Sequence, residues 1–344
     1  MADTSASESG SLALPTRGWI IWLECDAAPS TRHRRKILHQ FNIADFFARE
    51  SLRRREKQPV VYPLTLVCET DMINLFQIAA ENVARLLQRL EDAKKASKDG
   101  GILLEGFAQR VYDTGGISIN MRPCVLSDLI ARRRYQNIYE WAMEQSALCS
   151  RPVPDVLREK LGKYYSRRIH FDDSFENGRA FRYGLLNIGG AGADRYGQFC
   201  AVLRADFVEG GTEVAYLKAD SLRMYMRTET DLNETALRQD VATHSHRHCL
   251  TALKHCAGLG SSDPNDWRAI VCCSDDYVEA IFLKDVDLAS VGEVRLRETE
   301  FRRLFDLAFS DYTQKHDDAT NALKTDFATI LRADREGRFT LEKV

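Results

Sequence analysis

The sequence predicts an α+β protein: a mainly antiparallel sheet with helical elements towards both ends of the chain. Three observations predict it. From residue 181 onward, apolar strand-like runs recur between glycine-rich joints: FRYGLLNIGG, YGQFCAVLRADF and EVAYLKADSL. Before and after that stretch, apolar residues fall mostly at helical spacing. The glycine-rich segment 186–197 leads into another strand-like run, not the helix that a parallel dinucleotide-binding unit requires. Composition agrees with a globular chain. Of 344 residues, 44% are hydrophobic and 28% charged, and the net charge of -2 supplies no general basic field for nucleic acid.

Taken in order, residues 1–16 are rich in Ser and Ala and read as a flexible tail. Residues 17–100 form an N-terminal α/β region. It has strands at 18–25 (GWIIWLEC) and 59–68 (PVVYPLTLVC), and helices at 31–55 and 71–92. The polar, glycine-ended stretch 94–101 reads as a linker. Beyond it come a strand at Gly116–Met121, a helix over 126–145, a break at Pro152 and Pro154, and helix again over 156–165. Strands then alternate with glycine-rich turns. The remaining expectations are a long helix at 233–259, strands at 267–273, 277–285 and 291–297, and a closing helical segment within 301–344.

The segment YVEAIFL (277–283) carries one carboxylate, Glu279, inside an apolar strand pattern. A charge held by a sheet and aimed into a cleft is rigidly placed for catalysis. His244, His246, His248, Cys249, His255 and Cys256 crowd one predicted helix, where His244 and His248 stand four apart and could share a metal. No HExxH or paired CxxC accompanies them, so a histidine-rich helix surface is the plainer reading, and no metal is assigned. Asp172–Asp173 and Asp275–Asp276 could hold a divalent cation with Glu279, the basis of a rival metal-dependent nuclease reading. Basic clusters at 32–36, 53–55 and 132–134 read first as solvated helix faces and second as phosphate contacts. GxSxG, Walker A and kinase signatures are absent. The nine cysteines, odd in number and mostly within apolar runs, predict reduced thiols and a cytoplasmic protein, and no apolar run is long enough to span a membrane.

The segment YVEAIFLKDVDLASVGEVRL resembles the last catalytic strand pair of the ADP-ribosyltransferase fold, nearest to bacterial toxins that modify nucleic acid. The preceding block, FRYGLLNIGG and YGQFCAVL, is similar to that family's middle strands. The resemblance covers about residues 116–300 and lacks the family's usual Ser-Thr-Ser signature. It implies an ADP-ribosyltransferase-like catalytic domain that consumes NAD as substrate. Glu279 would stabilise the positive ribosyl centre as nicotinamide leaves. Tyr277 would stand where other branches carry glutamine or glutamate. Arg182, Tyr183 and Tyr196 would line the nicotinamide pocket, and Arg122, ending GISINMR, would grip the cofactor. The implied acceptor is nucleic acid or protein, and the implied setting is a bacterial toxin or antiviral defence effector with an antitoxin or regulatory partner. A non-catalytic binding or regulatory module is the remaining alternative.

Overall fold

The computed structural model describes residues 72–98, 101–209, 213–260, 262–309 and 317–344, all within the compact unit Glu69–Val344. The expected tail at 1–16, the strands at 18–25 and 59–68, the helix at 31–55 and the basic clusters at 32–36 and 53–55 lie outside the described residues.

The helices are α1 (Leu75–Glu81), α2 (Val83–Ala96), α3 (Ile102–Thr114), α4 (Pro123–Arg132), α5 (Ile138–Cys149), α6 (Val153–Leu161), α7 (Tyr165–Asp173), α8 (Asp206–Glu209), α9 (Ser221–Met224), α10 (Glu234–Gln239), α11 (Arg247–Leu259), α12 (Trp267–Val271), α13 (Glu298–Phe309) and α14 (Asp318–Arg335). The strands are β1 (Gly116–Met121), β2 (Arg182–Asn187), β3 (Phe199–Leu203), β4 (Val214–Leu217), β5 (Val241–Thr243), β6 (Glu279–Phe282), β7 (Val291–Leu296) and β8 (Thr340–Lys343). They form one eight-stranded sheet in the order β5-β4-β6-β2-β1-β3-β7-β8. Every pairing is antiparallel except β7 with β8.

The two-residue period of the strands divides the molecule into layers. Ile117, Ile119, Met121, Leu186, Phe199, Ala280 and Phe282 face the larger core, which is closed by apolar residues of α2, α3, α4, α11, α13 and α14. The alternate positions Ala215, Leu217 and Ile281 meet a smaller core built from Leu75 and Ile78 of α1, Phe171 of α7, Leu222 of α9, and Phe175 and Phe181. Strand β6 is buried at all four positions because it pairs with β4 on one side and β2 on the other.

Several sequence expectations are corrected. Within the expected strands, Glu279–Phe282 and Val291–Leu296 do form strands, but they are not a pair, since β2, β1 and β3 lie between them in the sheet. The strand expected at 267–273 is helix α12. Asp263 caps the turn Pro264–Asp266 that feeds it, and Trp267 and Val271, four apart, bury one helical face. The single helix expected at 233–259 is two helices around β5, because Val241 and Ala242 are drawn into the sheet edge beside β4. The helix expected at 126–145 breaks at Arg133, whose φ is 60°, and restarts in a capping box between Asn137 and Glu140. Helices α3, α7, α8 and α9 and strand β8 had no counterpart in the sequence reading, and α8 and α9 begin within runs read as strands. Of the cysteines, Cys200, Cys249 and Cys272 are buried, while Cys149 and Cys256 are exposed.

Candidate active site around Glu279

Glu279 opens β6, opposite Leu217 of β4 and Leu185 of β2. Alternation puts its side chain on the face of the smaller core, together with Ile281 and, across the ladder, Tyr183 and Leu185. It is 5% exposed. Among the described residues its carboxyl takes one hydrogen bond, from the Ser221 backbone N–H to Oε2 at 2.8 Å. Burial pushes its pKa up to about 8, and the Asp220 charge adds to the rise. Arg168 and the Ser221 contact pull it the other way. The buried Ser221 hydroxyl makes no hydrogen bond of good geometry among the described residues, although it lies close enough to the carboxyl to favour its charged form.

Asp220 organises the neighbouring wall. Its Oδ1 accepts from the backbone N–H groups of Leu222 and Arg223, capping α9. Its Oδ2 accepts from Tyr277 Oη at 2.7 Å, Tyr196 Oη at 2.9 Å and an Arg195 guanidinium N–H at 3.2 Å. Burial acts to raise the Asp220 pKa, but these donors outweigh it and hold the carboxyl below its ordinary value. Tyr277 is buried and its Oη also lies 2.7 Å from Tyr196 Oη. The two rings meet edge to face at 5.8 Å, and the Arg195 guanidinium caps both. Burial, then Glu279 and Asp220, drive the Tyr277 phenol pKa upward, so it is a proton donor at neutral pH. The outer members are open to solvent: Tyr196 is 45% exposed and the Arg195 side chain 36%.

A second wall comes from α7. Arg168 and Asp172 stand one helical turn apart and bond at 3.4 Å. The Arg168 guanidinium lies 4.0 Å from the centre of the Tyr183 ring. Tyr183 Oη donates to Asp172 Oδ1, and Tyr139 Oη donates to Oδ2 at 2.7 Å. Asp172 is fully buried, and burial pushes its pKa up against the pull of Arg168 and the two phenols. Burial also works against the Arg168 charge, and Tyr183, Asp172 and Glu279 more than offset it. Arg168 is thus a held cation acting on the same space as Glu279.

Of the residues proposed from sequence, Glu279, Tyr277, Tyr196 and Tyr183 converge. Arg182 and Arg122 do not join them. Arg182 sits opposite Phe282 on the other face of the sheet. There it is 2% exposed and donates to the Ala180 and Leu283 carbonyls and to the carboxylates of Glu140 and Asp285. Arg122 is exposed at the N-cap of α4, where its charge acts on Lys160 and Cys124. Arg168, Asp220 and Arg195 were missed as site residues, and Asp172, read from the sequence as a possible cation ligand, is instead held by Arg168, Tyr139 and Tyr183. The helix expected from the sequence ends at 165, so the Arg168–Asp172 spacing on α7 gave no signal.

The metal readings find little support. Asp275 and Asp276 are exposed and pair with Arg195 at 3.4 Å and Lys254 at 2.8 Å. His244 falls in a turn ahead of α11, its Nδ1 3.0 Å from Tyr216 Oη. It therefore does not share a helix face with His248, whose Nε2 lies 3.2 Å from Cys249 Sγ. Burial pushes the pKa of both histidines down to about 4. Among the described residues no group of three or more His, Cys, Asp or Glu side chains is arranged to hold a metal ion. No helix among the described residues is long and apolar enough to cross a membrane.

Two hollows open elsewhere. One of ≈ 410 Å³ is lined by His255, Asp266, Ala269, Ile270, Cys273 and Asp276. The other, of ≈ 540 Å³, is lined by Arg110, Ile188, Pro264, Asn265, Trp267 and Arg268. Glu279 lines neither, and because it is only 5% exposed a ligand reaching that carboxyl must displace part of its tyrosine and arginine cover. No protein-family model matches the chain, and no curated protein matches it.

Proposed function

We propose that this protein cleaves the nicotinamide–ribose bond of NAD and transfers ADP-ribose to a macromolecular acceptor, with Glu279 as the charge-stabilising catalytic residue. The observation that carries this reading is the buried, strand-held carboxyl of Glu279 between two tyrosine–arginine walls. As the glycosidic bond breaks, its electron pair returns to the nicotinamide nitrogen and positive charge collects on the ribose C1′. A preorganised carboxylate in a dry site gains most against that developing charge. Tyr183, Tyr196 and Tyr277 supply faces against which a pyridinium ring can rest, and Arg168 and Arg195 supply cations for the flanking phosphates. The acceptor nucleophile then bonds to C1′ and gives up its proton, for which ionised Asp220 is the available base.

Two consequences follow from the geometry. Burial pushes the Glu279 pKa up to about 8, which favours its protonated form at neutral pH, and binding the cationic ring favours releasing that proton. Entry also requires Arg195 and Tyr196, the exposed members of the cover, to swing aside. The resemblance sets this activity in a bacterial toxin or defence effector of the cytoplasm, restrained by a partner protein and acting on nucleic acid or protein.

Incubation with NAD labelled in the adenosine half, alongside candidate nucleic-acid and protein acceptors, tests the reading. Label should transfer with the wild type and fail with Glu279→Gln. Magnesium-dependent strand cleavage without NAD would replace it with the nuclease. Inertness in both assays together with a stable pulled-down partner would replace it with the binding module.

A further inference from the structure

The ≈ 540 Å³ hollow beside α12 has a composition that the Glu279 chemistry does not use. Its lining carries two arginines, Arg110 from α3 and Arg268 from α12, and no carboxylate. Neither guanidinium makes an ion pair or hydrogen bond among the described residues, where most other arginines do. Asn265 adds an exposed amide. Trp267 forms part of the wall, 8% exposed, with an indole N–H that has no hydrogen-bond partner among the described residues. Two like charges facing one recess without an acid repel each other, and an anion seated between them relieves that repulsion.

The backbone explains why Arg268 stands there. At Gly189, with φ at +117°, a Cβ would come within 3.3 Å of the Arg268 side chain, and at Gly190 a Cβ would lie 2.6 Å from that of Cys272. The glycines let the turn after β2 lie flat beneath the Arg268 stem. Asn187 Oδ1 fixes that turn by accepting both glycine N–H groups at 2.8 Å. The same loop runs on to Arg195 and Tyr196. It therefore links the hollow to the cover of Glu279 within one short segment.

We propose that this hollow is a phosphate-binding subsite for a nucleotide phosphate, carried either by a nucleic-acid strand or by a free nucleotide. Arg110 and Arg268 pair with the phosphate oxygens and Asn265 donates from its amide. The inference does not rest on the chemistry at Glu279, and a protein that never cleaves NAD would still carry this site.

The test is binding of the full chain to a fluorescein-labelled single-stranded 12-mer, followed by anisotropy, and to ADP, followed by calorimetry. The variants are Arg110→Ala/Arg268→Ala and, as a control with the same loss of charge, Arg332→Ala/Arg335→Ala on α14. Loss of affinity of at least tenfold in the first variant and under twofold in the control is expected. For the 12-mer, the salt dependence should also become shallower by about 1.4 in log–log slope, two contacts at about 0.7 each. Capture of the 12-mer without ADP assigns the strand, and capture of ADP assigns the free nucleotide. Equal losses in both variants, or no binding of either probe by the wild type, would overturn the subsite. Because both arginines are exposed and unpaired, melting curves of the first variant should overlay the parent's; Arg268→Glu supplies a second reading, in which binding is abolished.

Discussion

Arg182 and Glu279 sit on neighbouring strands, β2 and β6, and both are almost fully buried, yet they are treated in opposite ways. On one face Arg182 finds two carbonyls and two carboxylates, so its charge is answered within the fold. On the other face Glu279 receives one backbone N–H, with the negative Asp220 for a neighbour. A buried charge with its partners present is structural. A buried carboxyl denied them is held in a costly state, which a cationic ligand can relieve.

The sharpest way to break this comparison is to exchange the consequences. Arg182→Ala should cost about 3 kcal/mol in urea unfolding, because it strands buried carbonyls and leaves a cavity. Nicotinamide release per folded molecule should stay near that of the parent. Glu279→Gln should do the reverse, with nicotinamide release falling on the order of 10²-fold or more and the fold kept. Should Arg182→Ala abolish catalysis while leaving stability intact, the assignment of the two faces is wrong.

The pH dependence of stability sharpens the contrast. The Glu279 pKa is raised in the fold to about 8 from an ordinary 4.5. The folded state therefore holds more protons than the unfolded chain between those values, and stability falls as pH rises through that window. Glu279→Gln removes the effect. The stability of the variant relative to the parent should climb between pH 5 and 8 by on the order of 1 kcal/mol per pH unit, read from urea midpoints. A flat difference would mean that the carboxyl is solvated.

Smaller effects are expected around the loop that carries Arg195 and Tyr196. Asn120 accepts from the Ala193 N–H and donates to the Ala191 and Gly197 carbonyls, which pins that loop over β1. Asn120→Ala should cost about 2 kcal/mol and raise the KM for NAD. Tyr277→Phe removes one donor from Asp220 and should cost about 1 kcal/mol, with the acidic limb of the rate profile moved upward in pH.

The sequence made part of this legible. The apolar run at 277–283 identified Glu279 as a strand residue, and Tyr277 was reached through the resemblance. Tyr183 and Tyr196 were reached through the resemblance and do join the cluster. Strand register was not legible. Whether Arg182 or Tyr183 faces Glu279 depends on how β2 pairs with β6 about 100 residues later, and no local pattern encodes that. Asp220 lay near the end of the strand-like run EVAYLKADSL, but β4 stops at Leu217 and Asp220 caps α9, which only the fold brings to β6. The helix at 267–273 was hidden because Ile270 and Val271 favour strands, a preference overridden by the Asp263 cap and the burial of Trp267 against Phe107.

The central claim is tested most directly by titrating the Glu279 carboxyl itself, through the carbon-13 resonance that disappears in Glu279→Gln. A midpoint near pH 8 in the free protein, dropping below 7 when NAD is added, is the predicted result. A midpoint near 4.5, or one that NAD leaves unmoved, would contradict a buried acid waiting for a cationic ring.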